Sequence, residues 1–332
     1  MGRGILSRFE RCGWLRSILL ATLALVLLGC GKATELEPAT LLLDWVPNTN
    51  HTGLYVALEK GWYAEEGIAL SIESPSDPSA ALRQVAAGNA EFGVSFQEEV
   101  TIARSTDIPV VSIAAVIQHN TSGFAALASS GIADPAGFEG RTYASYSLPI
   151  EPAIMGSLMA CYNADASKVQ FVDVGFDAFP ALLSGQVDLA WIFMGWDGVQ
   201  AELKGQELTV FPLYGSCVPD YYTPVLIAGE DTLANKADLT RRFMRATVRG
   251  YDYAIQNPDE AAEILLKYTP ESDPELIRAS QRYLSPRYQD DATAWGQQEL
   301  SVWENLNQWM AENKLIDAAI DAQAAFTSEF LP

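Results

Sequence analysis

Between Asp44 and Tyr55 the sequence reads DWVPNTNHTGLY. It sets Trp45, Tyr55, Asp44, Asn48, Asn50 and His51 between an apolar run and a helical one. Rings at such a place stack on a flat ligand, and acids and amides fix its orientation. Turn chemistry and an N-cap at Thr49 or Asn50 also account for the Asn and Pro residues. They leave Trp45 beside an acid and a nearby histidine unexplained; His51 itself suits a contact or a structural hydrogen bond equally well. A second stretch, Trp191 to Gly198 (WIFMGWDG), ends a strand. Trp191 suits either the core or a wall. Trp196 lies past the strand, where stacking explains it, and Asp197 accepts hydrogen bonds from ring N–H or ligand O–H groups. Gln97 and Glu98, followed by Glu99, either orient a ligand or begin a helix, whose first turn favours acids. Tyr146 and Glu151, with Tyr143, surround Ser145 to Pro149, a loop that can offer backbone N–H groups. Tyr221 and Tyr222 suit hinge packing better than a cleft wall.

This chemistry holds molecules and does not make bonds. The chain has no Gly-x-Ser-x-Gly, Walker, Gly-x-Gly-x-x-Gly, CxxC or HExxH motif. Its only histidines are His51 and His119, which argues against a multi-histidine metal site. No metal or cofactor is expected. With 42 acidic and 21 basic residues the net charge is −21, a surface that repels nucleic acid.

The elements that must position these loops alternate. A strand over 39–44 precedes a helix ending at Lys60 and a strand over 70–73, and the strand–helix alternation runs to about residue 228. This is an α/β pattern, with mostly parallel sheet expected. From Lys236 onward helices are expected over 238–256, 259–268, 274–283 and 294–313. One internal echo stands out. Ala80 to Phe96 (AALRQVAAGNAEFGVSF) and Asp177 to Phe193 (DAFPALLSGQVDLAWIF) lie 97 residues apart, and each reads helix, glycine, acid, strand. Gly88 pairs with Gly185 and Glu91 with Asp188, as two similar lobes would require. Ligands of open α/β sheets sit beyond the carboxyl ends of the strands. That points to the loops 44–51, 95–99, 145–151 and 194–197 as the lining of one cleft.

The N-terminus carries Arg3, Arg8, Arg11 and Arg16 before an 11-residue run, Ile18 to Leu28, apolar except for Thr22. A spanning helix needs about 20 residues, so the run reads as a secretory signal over 1–29. Leu27-Leu28-Gly29-Cys30 resembles the bacterial lipoprotein cleavage box, which implies lipidation of Cys30 and a tether over 30–39. Without its leader of four basic residues and one acidic, the exported chain keeps 17 basic and 41 acidic side chains. Cys161 and Cys217 then remain, either as a disulfide, permitted outside the cytoplasm, or as two buried thiols.

At DWVPNTNHTGLYVALEKGWYAEEG (Asp44 to Gly67) the chain strongly resembles the thiamin-pyrimidine-precursor (ThiY/RibY-like) family of ABC-importer solute-binding proteins. WIFMGWDGVQAELKG, DYYTPVLIAGE and PRYQDDATAWGQQELSVWENLNQWM agree with it. The resemblance implies a two-lobed periplasmic-binding-protein type II fold with ligand clamped between lobes. One lobe would be 40–120 with 225–332, the other 121–224. It also implies a monomeric receptor, not an enzyme, held by lipid at the outer face of the cell membrane and serving a permease and its ATPase. Members bind riboflavin or formylaminopyrimidine, and a eukaryotic branch makes the pyrimidine with a CCCFC cluster that has no counterpart here. The form of Trp191 to Asp197 looks closer to the riboflavin-binding lipoproteins, and the aromatic wall suits three rings, so riboflavin is the expected ligand and a thiamin-precursor pyrimidine the alternative. More distant relatives take sulfonates, nitrate or bicarbonate with cationic or metal-assisted pockets, and these loops hold no Arg or Lys.

Overall fold

The computed structural model describes residues 35–332 apart from Pro78. The signal segment and Cys30 lie outside the described residues. Two five-stranded sheets organise the chain. The first has the order β2 (Ile68–Glu73), β1 (Glu37–Leu42), β3 (Phe92–Ser95), β10 (Val225–Gly229), β4 (Val110–Ala115). The second has the order β7 (Gln170–Asp173), β6 (Thr142–Ser145), β8 (Leu189–Phe193), β5 (Ser122–Leu127), β9 (Leu208–Pro212). The first strand already holds Glu37 to Ala39, with Ala39 buried, so the last residues expected in the tether belong to a sheet.

The sheets are mixed, where mostly parallel pairing was expected. Strand β1 runs parallel to β3, as β6 does to β8. Strand β10 is antiparallel to β3 and β4, and β5 is antiparallel to β8 and β9. The cause is an exchange. After β4 the chain crosses through 116–121 into the second sheet, and after β9 it crosses back through 213–224 into the first. Each crossing strand enters its new sheet from the side of the other lobe and so runs against its neighbours.

Helices α1 (Thr52–Glu59), α2 (Trp62–Glu65), α3 (Ala80–Ala86) and α4 (Gln97–Ser105) belong to the first half, and α5 (Glu151–Ala160), α6 (Ala178–Leu183) and α7 (Val199–Leu203) to the second. After β10 come α8 (Glu230–Asn235), α9 (Ala237–Gln256), α10 (Pro258–Leu266), α11 (Pro274–Leu284) and α12 (Leu300–Glu312). The echo has a structural meaning. Helices α3 and α6 feed the central strands β3 and β8. Each ends on a left-handed glycine, Gly88 at φ 73° and Gly185 at φ 71°, a conformation that costs other residues energy. The acid that follows pins the neighbouring strand. Glu91 accepts the Thr40 N–H at 2.8 Å and Asp188 the Thr142 N–H at 2.9 Å.

Two features depart from the expectations. Helix α12 starts at Leu300, because Ala115 donates its N–H to the Gly296 carbonyl and Gly296 sits at φ 88°, which breaks the helix expected from residue 294. The same helix is shared between lobes. Trp303 stacks on Phe326 beside the first sheet, whereas Leu306, Trp309 and Met310 pack with Ile154 and Leu158 of α5 beside the second. The thiol alternative is also resolved: Cys161 and Cys217 form a disulfide, and both are exposed.

Candidate functional site

All four expected loops meet at one cavity of about 320 Å³ between the sheets. Asp44, Trp45 and Asn48 to Asn50 enter after β1, Phe96 and Glu98 after β3, Tyr146 and Leu148 after β6, and Gly195 to Asp197 after β8. The crossings add Ile117, Thr121, Thr223 and Pro224. Among the described residues the lining contains no lysine or arginine, and no cluster of three or more His, Cys, Asp or Glu is placed to hold a metal.

Eight of the twelve side chains singled out from sequence line the cavity: Asp44, Trp45, Asn48, Glu98, Tyr146, Trp191, Trp196 and Asp197. The other four, His51, Tyr55, Gln97 and Glu151, stand outside the lining. His51 is fully buried, with Nε2 at 2.7 Å from Asp44 Oδ1, and its Nδ1 accepts the Asn48 N–H at 3.2 Å. Because Nδ1 accepts, the ring proton sits on Nε2 and is donated to Asp44. His51 therefore aims Asp44. The Asn48 side chain in turn accepts the Asn50 N–H at 2.8 Å, closing a reciprocal cap on the turn Thr49–His51. Tyr55 packs against Tyr268, ring centroids 4.8 Å apart. Gln97 joins the Val302 carbonyl to the Tyr222 N–H and so ties α4 to the second crossing and α12. Glu151 is buried and shapes its loop by accepting the Tyr146 and Leu148 N–H groups, the latter at 2.8 Å. Its carboxyl is raised by burial, against which those bonds work.

The aromatic wall is held from behind. Trp191 donates Nε1–H to Ser122 at 2.8 Å, and the Tyr146 hydroxyl donates to the Trp191 carbonyl at 3.1 Å. Trp45 and Trp196 approach edge to face across the cleft, centroids 6.1 Å apart. Trp196 and Asp197 are projected by a wide turn over Met194–Gly198, with i to i+5 spacing, which ends β8. Asp197 accepts the Phe193 N–H at 3.0 Å, and burial pushes its carboxyl up to about 6. Burial pushes Glu98 up to about 8, with Glu99 adding to the rise against a backbone hydrogen bond.

Sequence reading missed the contribution of α11. Its Ser280 hydroxyl donates to the Gly195 carbonyl and lies 2.5 Å from the Thr49 hydroxyl. A Cβ on Gly195 would stand 2.6 Å from Leu284 Cδ2, so glycine is what lets α11 close on the second lobe. Nothing local in the sequence marks Ser280 or Leu284, because tertiary packing alone brings them to the cleft.

Two lobes exchanging strands around an aromatic, acid-lined cleft define a two-lobed periplasmic-binding-protein fold. The alkanesulfonate-binding protein SsuA of Xanthomonas axonopodis pv. citri shares this fold, with a TM-score of 0.69 at 10% identity over 88% of this chain and 99% of that one. The family described as NMT1/THI5 like matches residues 48–261, and the chain belongs to it. It is 30% identical over 320 residues to the formylaminopyrimidine-binding protein of Halalkalibacterium halodurans, covering 94% of this chain and 97% of that one. The 4-amino-5-hydroxymethyl-2-methylpyrimidine phosphate synthase of Legionella pneumophila is 29% identical, with coverages of 88% and 92%. The riboflavin-binding protein RibY of Chloroflexus aurantiacus is 27% identical, with coverages of 90% and 87%.

Proposed function

We propose that the chain is the receptor of an ABC importer for a 4-aminopyrimidine of the thiamin-precursor kind. The observation that carries this reading is the polar character of the cleft. Asp44, Glu98 and Asp197 face an aromatic cavity without a cation. Carboxyl groups there suit the amino group of an aminopyrimidine beside its ring; the flavin ring system offers a single ring N–H, its other donors lying on the ribityl chain. The volume, about 320 Å³, lies within the roughly 300–1,000 Å³ of ligand pockets and admits a heterocycle of one to three rings. Likeness to a formylaminopyrimidine-binding protein supports the same choice.

Riboflavin, the ligand expected from the sequence, is the second reading. Trp45, Tyr146, Trp191 and Trp196 along one cavity favour it, as does the likeness to a riboflavin-binding protein. A binding role is supported over synthesis by His51, which is turned onto Asp44 and Asn48 and away from the cavity. In the proposed cycle the lobes open and shut about 116–121, 213–224 and the shared helix α12. Ligand touches both lobes only when they are shut and shifts the population that way. The shut form docks on a permease, and lipid on Cys30 keeps the receptor at the outer membrane face. Calorimetry with 4-amino-5-hydroxymethyl-2-methylpyrimidine, formylaminopyrimidine and riboflavin side by side tests the proposal. Micromolar or tighter binding of either pyrimidine is expected, and binding of riboflavin alone would overturn it.

A further inference from the structure

Among the described residues, Glu98 is the lining carboxyl with a fully buried oxygen that no hydrogen bond satisfies. It opens α4, 6% exposed, and its Oε2 is buried with no hydrogen-bond partner. A buried polar atom in that condition is costly unless something supplies a bond. Asp44 is bonded to His51 and Asp197 to the Phe193 N–H, so those acids already have protein partners.

We propose that Glu98 is the specificity-determining residue of the cleft, entering the complex as a neutral carboxyl. It donates its O–H to a ring nitrogen of the ligand and accepts an N–H from the amino group beside that nitrogen. This inference rests on the aminopyrimidine reading and deepens it. A neutral carboxyl presents one donor and one acceptor side by side, the complement of the edge that a ring nitrogen and an adjacent amino group form. The surroundings favour the neutral form. Burial is the main cause of the raised Glu98 value, about 8, and Glu99, next on the same helix, adds to it. Asp44, on the same cavity, raises Glu99 in turn. From the second crossing Tyr221 faces Glu98, its hydroxyl raised by burial and by that carboxyl. Arg83 acts on Glu99 with the opposite sign, and Glu99 accepts hydrogen bonds from Ser79 and Ser95.

The pH sign follows. Below about pH 8 the free protein already carries the proton that the complex needs. Above it, binding must take up one proton, and affinity falls by up to about tenfold per pH unit. Calorimetry with 4-amino-5-hydroxymethyl-2-methylpyrimidine, and with 5-hydroxymethyl-2-methylpyrimidine lacking the amino group, measures this in the full exported chain and in Glu98→Gln and Glu98→Met. The parent chain is expected to prefer the amino compound at least tenfold at pH 7 and to lose affinity between pH 8 and 9.5. Glu98→Gln, whose amide keeps a donor and an acceptor, is expected to hold the preference but bind equally across that range. Glu98→Met is expected to lose the preference. If Glu98→Met does not fold, the Glu98→Gln pH profile decides alone. A parent chain that binds the amino compound with no fall above pH 8, or a fall that survives in Glu98→Gln, overturns this inference and leaves the aminopyrimidine reading standing. Failure of the parent chain to bind the amino compound overturns both.

Discussion

Replacing Ser280 with alanine removes one hydroxyl from the surface where α11 meets the second lobe. In the shut form that hydroxyl donates to the Gly195 carbonyl and pairs with the Thr49 hydroxyl at 2.5 Å, all within a fully buried side-chain environment. When the lobes part, the Gly195 carbonyl reaches water and loses nothing by the substitution, whereas Thr49, on the same lobe as Ser280, loses its partner in both states. The Gly195 part of the change therefore falls on the shut state. A hydrogen bond contributes about 0.5–1.5 kcal/mol net, and stranding a buried partner costs about 1–3 kcal/mol. Taking about 1–2 kcal/mol for the shut form, apparent affinity weakens about five- to thirtyfold, although residue 280 is absent from the cavity lining. Titration calorimetry gives the dissociation constant, and small-angle scattering at saturating ligand checks that the complex still compacts. The unliganded melting temperature reports whether the fold has suffered. An unchanged dissociation constant, or a loss of affinity that merely tracks a lowered melting temperature, would refute the latch.

Trp196→Ala is expected to weaken ligand binding at least about tenfold with the fold retained, since stacking of a heterocycle on an aromatic side chain contributes about 1–3 kcal/mol; calorimetry and circular dichroism check the two halves. Reducing the Cys161–Cys217 bridge, which spans 56 residues, is expected to cost about 2–4 kcal/mol, read as a lower urea midpoint with dithiothreitol present. His119 is lowered by burial but raised more by Asp220 and by Asp291, so its value lies above the ordinary one. Its pairing contributes stability that is complete below about pH 6.5 and is lost as pH rises through the raised value. His119→Gln should flatten that stretch of the melting-temperature profile, and a parallel slope in both chains would exclude His119 as its source. Cys30→Ser is expected to release the protein from membranes and abolish metabolic palmitate labelling.

The sequence shows its loops better than its side-chain roles. Trp196 was readable because an aromatic beyond a strand has no core to fill, and Asp197 came with it. The echo predicted two lobes because helix–glycine–acid–strand recurs with local hydrogen bonds at each copy, down to Glu91 and Asp188 holding Thr40 and Thr142. His51 was harder. Its spacing after Asn48 is that of a capping pair, yet the carboxylate it aims lies seven residues upstream, and polar residues in one loop do not reveal which of them turns inward. Glu151 poses the same problem, since an acid at a helix start suits a ligand and its own loop alike. Ser280 and Leu284 were beyond reach, because their role exists only once α11 is folded across Gly195. The strand exchange was equally hidden: alternation of elements shows neighbours in sequence, and β5 and β10 each pair in the sheet to which their predecessor does not belong.

That exchange explains why binding and motion share residues. Both crossings pass under the cavity, and Ile117, Thr121, Thr223 and Pro224 line it. A ligand resting there touches the segments that must rotate, so its contact energy acts directly on the hinge. On the other side of the same crossings, His119 of the first meets Asp220 of the second at 2.6 Å, and Asp291 reaches the same ring at 3.2 Å. One network thus ties both crossings to the segment that follows α11, while Ser280 of α11 grips Gly195 across the cleft. The hinge is braced behind and latched in front, with the cavity between them. Loosening the latch should therefore change affinity with little effect on the fold, whereas breaking the brace should alter stability and affinity together.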